Sequence, residues 1–346
     1  MLLLSIAVGE LCTRGSMQTK LVLGVDIGGT KVAAGLVNAD GEMLFNLRVP
    51  MNTSGSASDA MGCVHNAIEG VMQANPAVAL RAIGVSSPGP LDLHNGIVLN
   101  SPNLPCWQNF ALLPEIQKTY RIPSRLDNDA NSAGLAEALW GAGAKYNSVF
   151  YVTIGTGIGT AIVLNQRIYY GRTGGAAEGG HMTIDFRAPV RCGCGKRGCM
   201  EGLASGPAIA VRTREKLAAS SDGARILAAA GGEASSITAE AVVKAWRAED
   251  PLATEVLRET ADLFAIWLGN VVDLLEPDVI VIGGGVGAAI TEWFPYIQRK
   301  IPDWSINPRA HEIPLVAAKY GADAGIVGSA ALWLCEQPSY EPAAKI

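Results

Sequence analysis

The sequence lacks the marks of several protein classes. In 346 residues it has no run of about 18 uncharged apolar residues, the length that a bilayer-spanning helix requires. No Lys/Arg cluster exceeds two or three residues, and 27 basic against 32 acidic side chains leave a formal charge of −5. A broad nucleic-acid footprint is therefore not expected. The 40 Gly and 18 Pro follow no G-X-Y period, which excludes collagen, and no G-x-x-x-x-G-K-[ST] motif occurs, which excludes a P-loop NTPase. With 17% charged and 49% hydrophobic residues the chain is neither disordered nor fibrous. Seven cysteines, an odd count in a chain too large to need disulfide staples, point to reduced thiols in the cytoplasm. The apolar opening MLLLSIAVGELC has no basic flank and no small-residue cleavage site before Arg14. Residues 1–19 are expected to be a tail rather than a signal peptide, with Met17 opening a more ordinary N-terminus.

What is present suffices for two cores and a cleft, at about 150 residues per domain. KLVLGVDIGGTKVAAGLV reads as strand, glycine turn and strand, and Ala39-Asp40-Gly41 as a hairpin into a third strand. Ala60, Val64, Ala67, Ile68 and Val71 predict a helix over 58–75, and RAIGVSSPGPLD a buried strand over 81–92. The stretch SVFYVTIGTGIGTAIVLNQRIYYG, 148–171, repeats the opening pattern, with Ile154-Gly155-Thr156-Gly157 matching Ile27-Gly28-Gly29-Thr30. This suggests two related βββα units. Leu257, Ala261, Phe264, Leu268, Val271 and Leu275 mark a helix that Pro277 stops. DVIVIGGGVGA then predicts a buried strand into a third glycine turn, and ADAGIVGSAALWLCE a closing helix. The expectation is an α/β protein with one lobe over 20–125, joined by the returning helix at 323–336, and a second over 126–322.

Three strand ends run into glycine: Gly28-Gly29-Thr30, Gly155-Thr156-Gly157 and Gly283-Gly284-Gly285. Glycine lets backbone N–H groups approach phosphate oxygens, Thr30 and Thr156 add hydroxyl donors, and Asp26 could hold Mg²⁺ through water. Each turn taken alone is equally well a tight hairpin. Gly283, Gly285 and Ala288 fit a loose G-x-G-x-x-A, but only about 60 residues follow, too few for a dinucleotide-binding domain.

RLDNDANSAGLAEALWGAG places Asp127, Asn128 and Asp129 before a helix-forming run. One of them is an N-cap, and one could present a carboxylate as general base; sequence alone leaves the two roles in balance. Further on, Cys192-x-Cys194-x₄-Cys199 with His181 upstream supplies three thiolates and an imidazole. Four N/S ligands suit a closed, tetrahedral, structural Zn²⁺ site. Glu178 and Glu201, held by that loop, could accept hydrogen bonds from a polyol.

Together, GVDIGGTKVAAGLV, SSPGPLD, NSPNLPCWQNF, LDNDANSAGLAEALWG, TIGTGIGTAIV, EGGHM, CGCGKRGCMEGLASGPAI and IGGGVGA resemble the ROK family of repressors and ATP-dependent sugar kinases. The match runs through residues 20–335 in the family's order, and the CGCG-x-x-GCxE element with its upstream Glu-x-x-His is highly specific. The resemblance implies an actin-like, hexokinase-type ATPase fold of duplicated βββαβαβα units around a cleft. It implies Asp129 as catalytic base, with Asn103, Asn128, Glu178, His181 and Glu201 on sugar hydroxyls and His181 also on zinc. It further implies Asp26, Gly28, Gly29, Thr30 and Lys31 in a first phosphate loop, and Thr156 and Gly157 in a second. Gly284 and Gly285 would lie near the α-phosphate and ribose.

The sequence departs from the family where Ala177 and Gly179 stand in place of Gly and a larger side chain beside Glu178, which bears on sugar selectivity. The expected activity is transfer from ATP, with Mg²⁺, to the 6-hydroxyl of an aldohexose, glucose first; N-acetylglucosamine, N-acetylmannosamine and fructose are the other acceptors. A sugar-responsive repressor would need a DNA-binding segment of about 60 residues before the core, where only about 20 stand. The assembly expected is a homodimer or homotetramer, without nucleic-acid or membrane partners.

Overall fold

A computed structural model describes residues 21–220 and 222–335; the tail expected over 1–19 lies outside them. The first half contains β1 (Val22–Ile27), β2 (Lys31–Val37), β3 (Met43–Pro50), α1 (Ala57–Ala74) and β4 (Ala82–Ser87). Then come three short strands, β5 (Leu91–Asp92), β6 (Ile97–Asn100) and β7 (Gln108–Phe110), followed by α2 (Leu112–Tyr120), β8 (Ser124–Asn128) and α3 (Asp129–Trp140). The sheet order is β3-β2-β1-β4-β8, antiparallel across β1–β3 and parallel across β1, β4 and β8.

The second half repeats this plan. It runs through β9 (Ser148–Ile154), β10 (Ile158–Leu164), β11 (Arg167–Ile168) and five helices: α4 (Met200–Ala204), α5 (Gly206–Leu217), α6 (Ala224–Ala229), α7 (Ala239–Arg247) and α8 (Pro251–Leu275). After them come β12 (Val279–Gly283), α9 (Gly284–Ala289), α10 (Phe294–Lys300), β13 (Leu315–Ala317) and α11 (Ala324–Leu334). Its sheet order is β11-β10-β9-β12-β13, with the same change from antiparallel to parallel at the central strand. The duplication expected from the matching glycine turns is therefore a duplication of sheet topology.

Local chemistry explains the element ends. Ser56 and Asp59 form a reciprocal capping box at the start of α1, the Asp59 carboxylate accepting from the Ser56 amide at 2.8 Å. Asp250 caps α8, Pro251 takes its first position, and Glu276 ends it in the left-handed region before Pro277. The structure corrects one expectation and refines another. The strand expected over 81–92 ends at Ser87, because Pro88 and Pro90 have no N–H to continue a ladder, and Leu91–Asp92 joins a separate three-stranded sheet. The third glycine run is not a hairpin: Gly284, at φ +79°, begins α9.

The boundary expected at 125/126 falls inside β8, whose pairing with β4 extends to Asn128. α3 packs on β9 and β10 while α11 packs on β1 and β4, and the two helices pack on each other between the sheets. Gly24 and Gly84 permit this approach, since a Cβ on either would collide with the Ile326 or Ser329 carbonyl of α11. Each sheet has its own apolar core, one around Leu23, Ile68 and Trp107, the other around Val256, Phe264 and Trp267.

Candidate active site

The parallel strands carry their functional residues at their C-terminal ends, where open α/β sheets bind ligands. In register, Asp26 of β1 lies opposite Ser86 of β4, and Ser86 opposite Asp127 of β8. The Ser86 hydroxyl donates to the Asp26 carboxylate at 2.8 Å. Burial pushes the Asp26 carboxyl up, while Ser86, Lys31 and Arg48 pull it back down. The same carboxylate lies against Gly325 at the start of α11, where a Cβ would collide with it.

The balance within Asp127-Asn128-Asp129 is resolved by what each side chain touches. Asn128 is the N-cap of α3, its oxygen accepting from the amides of Ala130 at 2.9 Å and Asn131 at 3.3 Å. Asp127 is buried and satisfied, accepting from the Tyr170 hydroxyl, from Asn131 Nδ2 at 3.0 Å and from the Asn128 amide at 2.7 Å. Asp129, in the first turn of α3, accepts from the Ala130 amide at 2.8 Å. Burial first, and then the nearby Asp26 and Glu178 carboxylates, push its carboxyl up to about 6. The structure thus brings Asp26, Asp129 and Glu178 into one electrostatic neighbourhood, and Asp129 is the carboxylate of the run left available for chemistry.

The two hairpin glycine turns follow β1 and β9, the central strands of the two sheets. Gly28 N donates to Lys31 O at 2.9 Å, and Gly155 N to Gly157 O at 2.9 Å, so Thr30 and Thr156 stand exposed at the tips of equivalent hairpins. A Cβ on Gly29 would lie 2.7 Å from the Asn103 carbonyl, which places exposed Asn103 beside the first turn. Gly284 packs on the backbone of Ile154, joining the start of α9 to the second turn. Gly155 and Gly285 have nothing within 4 Å of an added Cβ, so internal packing does not dictate glycine there. Close approach of a ligand would.

His181 closes a short 3₁₀ turn, Gly179–His181, and faces Cys192 Sγ with Nδ1 at 3.5 Å. Cys194 and Cys199 sulfurs lie 3.6 Å apart, and the four donor atoms of His181, Cys192, Cys194 and Cys199 all lie within 4.8 Å of one another. A tetrahedral ion with bonds of about 2.3 Å sets its sulfurs about 3.8 Å apart, so this donor set fits one soft divalent cation with no open position. Glu201, from α4, ties this cluster to the second turn. Its Oε2 accepts from the Ile158 amide at 2.9 Å, and its Oε1 lies 3.3 Å from Cys192 Sγ and 3.9 Å from His181 Nδ1.

Sequence reasoning missed Ser86, Thr160, Tyr170, Trp267 and Gly325. Ser86 and Thr160 lie within SSPGPLD and TIGTGIGTAIV, but at positions whose spacing signals no role, and the contacts of all five form only when segments separated in sequence meet.

A sequence model of the ROK family matches residues 22–336. The glucokinase of Thermotoga maritima is 31% identical over 313 residues, covering 90% of this chain and 96% of that protein. The N-acetylmannosamine kinase of Yersinia pseudotuberculosis is 30% identical over 311 residues, covering 90% and 97%. Among solved structures, a ROK family glucokinase from Streptomyces griseus in complex with glucose and AMPPNP superposes with a TM-score of 0.79 at 31% identity, covering 90% of this chain and 98% of that one. The fold is the actin-like ATPase fold of these structures.

Proposed function

The chain belongs to the ROK family and is a sugar kinase, and on that premise we propose that it transfers the γ-phosphoryl group of ATP to the 6-hydroxyl of an aldohexose, glucose first. The observation that carries this reading is Asp129, a carboxylate at the start of α3 near the Asp26 and Glu178 carboxylates, set near 6 by its surroundings. A general base works best with a pKa close to the operating pH; Asp127 is also raised to about 6, but its oxygens are taken by Tyr170, Asn131 and the Asn128 amide, which leaves Asp129 for that task.

In this reaction the sugar's 6-oxygen forms the new bond to Pγ as its proton passes to Asp129. The bond from Pγ to the bridging oxygen breaks, leaving its electron pair on ADP. Such transfer depends mainly on positioning and charge neutralisation. In this reading the backbone amides of Gly29, Gly157 and Gly285, with the Thr30 and Thr156 hydroxyls, hold phosphate oxygens, while Gly28 shapes the first turn through its bond to the Lys31 carbonyl. Gly284 shapes the α9 start beside the nucleotide, and Lys31 adds a positive charge next to Asp26. Bound Mg²⁺ would neutralise the β- and γ-phosphates, and the half-buried Asp26 carboxylate at the first turn suits a water-mediated hold on it. Asn103, the Asn128 amide nitrogen, Glu178, His181 and Glu201 orient the sugar. Zinc held by His181, Cys192, Cys194 and Cys199 would fix the loop that carries three of them.

The test is ADP release by the purified chain across glucose, mannose, fructose, N-acetylglucosamine and N-acetylmannosamine. Glucose is expected to give the highest kcat/KM, and preference for another sugar reassigns the acceptor. Absence of sugar-dependent ADP release throughout would overturn the reading.

A further inference from the structure

The segment that presents Glu178 and His181 is gripped by two side chains from elsewhere in the second half, Thr160 of β10 and Trp267 of α8. Thr160, buried on β10, donates its hydroxyl to the Ala177 carbonyl and accepts from the Gly179 amide at 2.8 Å. One hydroxyl therefore bridges the backbone on both sides of Glu178. Trp267 on α8 donates Nε1–H to the Gly179 carbonyl at 3.1 Å, and its indole is fully buried against Phe150 and Phe264. Gly179 is thus engaged at both its amide and its carbonyl.

There is no slack at this point. A Cβ on Gly179 would stand 2.8 Å from Thr160 Oγ1 and 3.3 Å from Trp267 Cζ2. Ala177 enters the segment at φ +62°, a left-handed conformation that a residue with a Cβ keeps only when its surroundings impose it. Thr160 supplies that imposition by holding the Ala177 carbonyl. The side chain of Glu178 itself stands exposed, so its position depends on the backbone beneath it.

We propose that Thr160 and Trp267 are positioning residues that set sugar affinity and selectivity by fixing where Glu178 and His181 stand. This rests on the sugar-kinase reading above. Neither side chain is placed on the sugar or the nucleotide, so the effect should fall on recognition of ring hydroxyls rather than on phosphoryl transfer.

Thr160→Val keeps the shape and removes both hydrogen bonds, while Thr160→Ser retains the hydroxyl. The expected result is a sugar KM raised roughly tenfold in Thr160→Val, the scale of losing one buried hydrogen-bond partner. ATP KM and kcat should stay within about twofold, and Thr160→Ser should restore most of the affinity. Trp267→Phe, which loses only the N–H, should shift sugar KM in the same direction and provides the test if Thr160→Val does not fold. Unchanged sugar KM in a folded variant, or equal losses for sugar and ATP, would overturn the proposal.

Amide hydrogen exchange separates this from the premise it rests on. In the protein without substrate, the Gly179 amide should exchange at least about tenfold faster in Thr160→Val than in wild type. If no sugar is phosphorylated by wild type, the kinase reading fails, and unchanged exchange at Gly179 would independently refute the clamp.

Discussion

At Asp129 the same surroundings set both chemistry and stability. Burial and the Asp26 and Glu178 carboxylates raise its carboxyl to about 6, so below that pH the base is protonated. We expect kcat/KM for the sugar to fall about tenfold per unit below pH 6, measured under conditions where the fold persists. The sign for stability is opposite. A carboxyl whose folded pKa lies above its unfolded value contributes most below the unfolded value, and that contribution is lost as pH rises through about 6. Asp129→Asn should therefore melt higher than wild type at pH 8, with the difference shrinking at pH 5; a constant difference would contradict the raised pKa. At Ala177, left-handed backbone costs a residue with a Cβ about 1–2 kcal/mol, and glycine loses about 0.5–1 kcal/mol in added unfolded entropy. Ala177→Gly should then gain up to about 1 kcal/mol in denaturant unfolding. The Asp-Asn-Asp run was legible in the sequence as a cap and a base together. The family resemblance pointed to Asp129 as the base, but that Asn128 is the cap and Asp127 is satisfied was not legible, because Tyr170 and Asn131 meet Asp127 only once β11 and α3 have been placed.

At the scale of elements, glycine turns and the metal loop were the most legible parts, because each carries its own spacing. Gly28–Thr30 and Gly155–Gly157 are hairpin turns as expected, whereas the third run becomes the start of α9. A strand followed by glycines predicts a sharp turn but not whether a strand or a helix leaves it. The Cys/His spacing predicted the cluster; it did not predict that Glu201 would tie that cluster to the Ile158 amide. That tie joins the loop to the strand that leaves the second glycine turn. Cys194→Ser is expected to lose bound zinc by metal analysis, lower thermal stability and raise sugar KM by about 10–100-fold, with a smaller rise in ATP KM. A zinc-free wild type of full activity would remove the metal from the account.

For the whole molecule, two sheets of one topology lie on either side of α3 and α11, and the candidate site residues come from both halves. Asn103 stands on the first half, and Glu178, His181 and Glu201 on the second, so a sugar touching all of them should draw the halves together. Small-angle scattering with saturating glucose should show a smaller radius of gyration than the free protein, and an unchanged radius would count against closure. Duplication was visible in the paired glycine turns, but the place where the halves divide was not, since β8 continues past the expected boundary and α11 returns from the far end of the chain. The most direct measurement is glucose-dependent ADP release by Asp129→Asn beside wild type, with glucose and ATP binding measured on the same samples. Turnover is expected to fall by about 10²–10⁴-fold while both substrates still bind; turnover comparable to wild type would remove Asp129 as the base and, with it, the proposed mechanism.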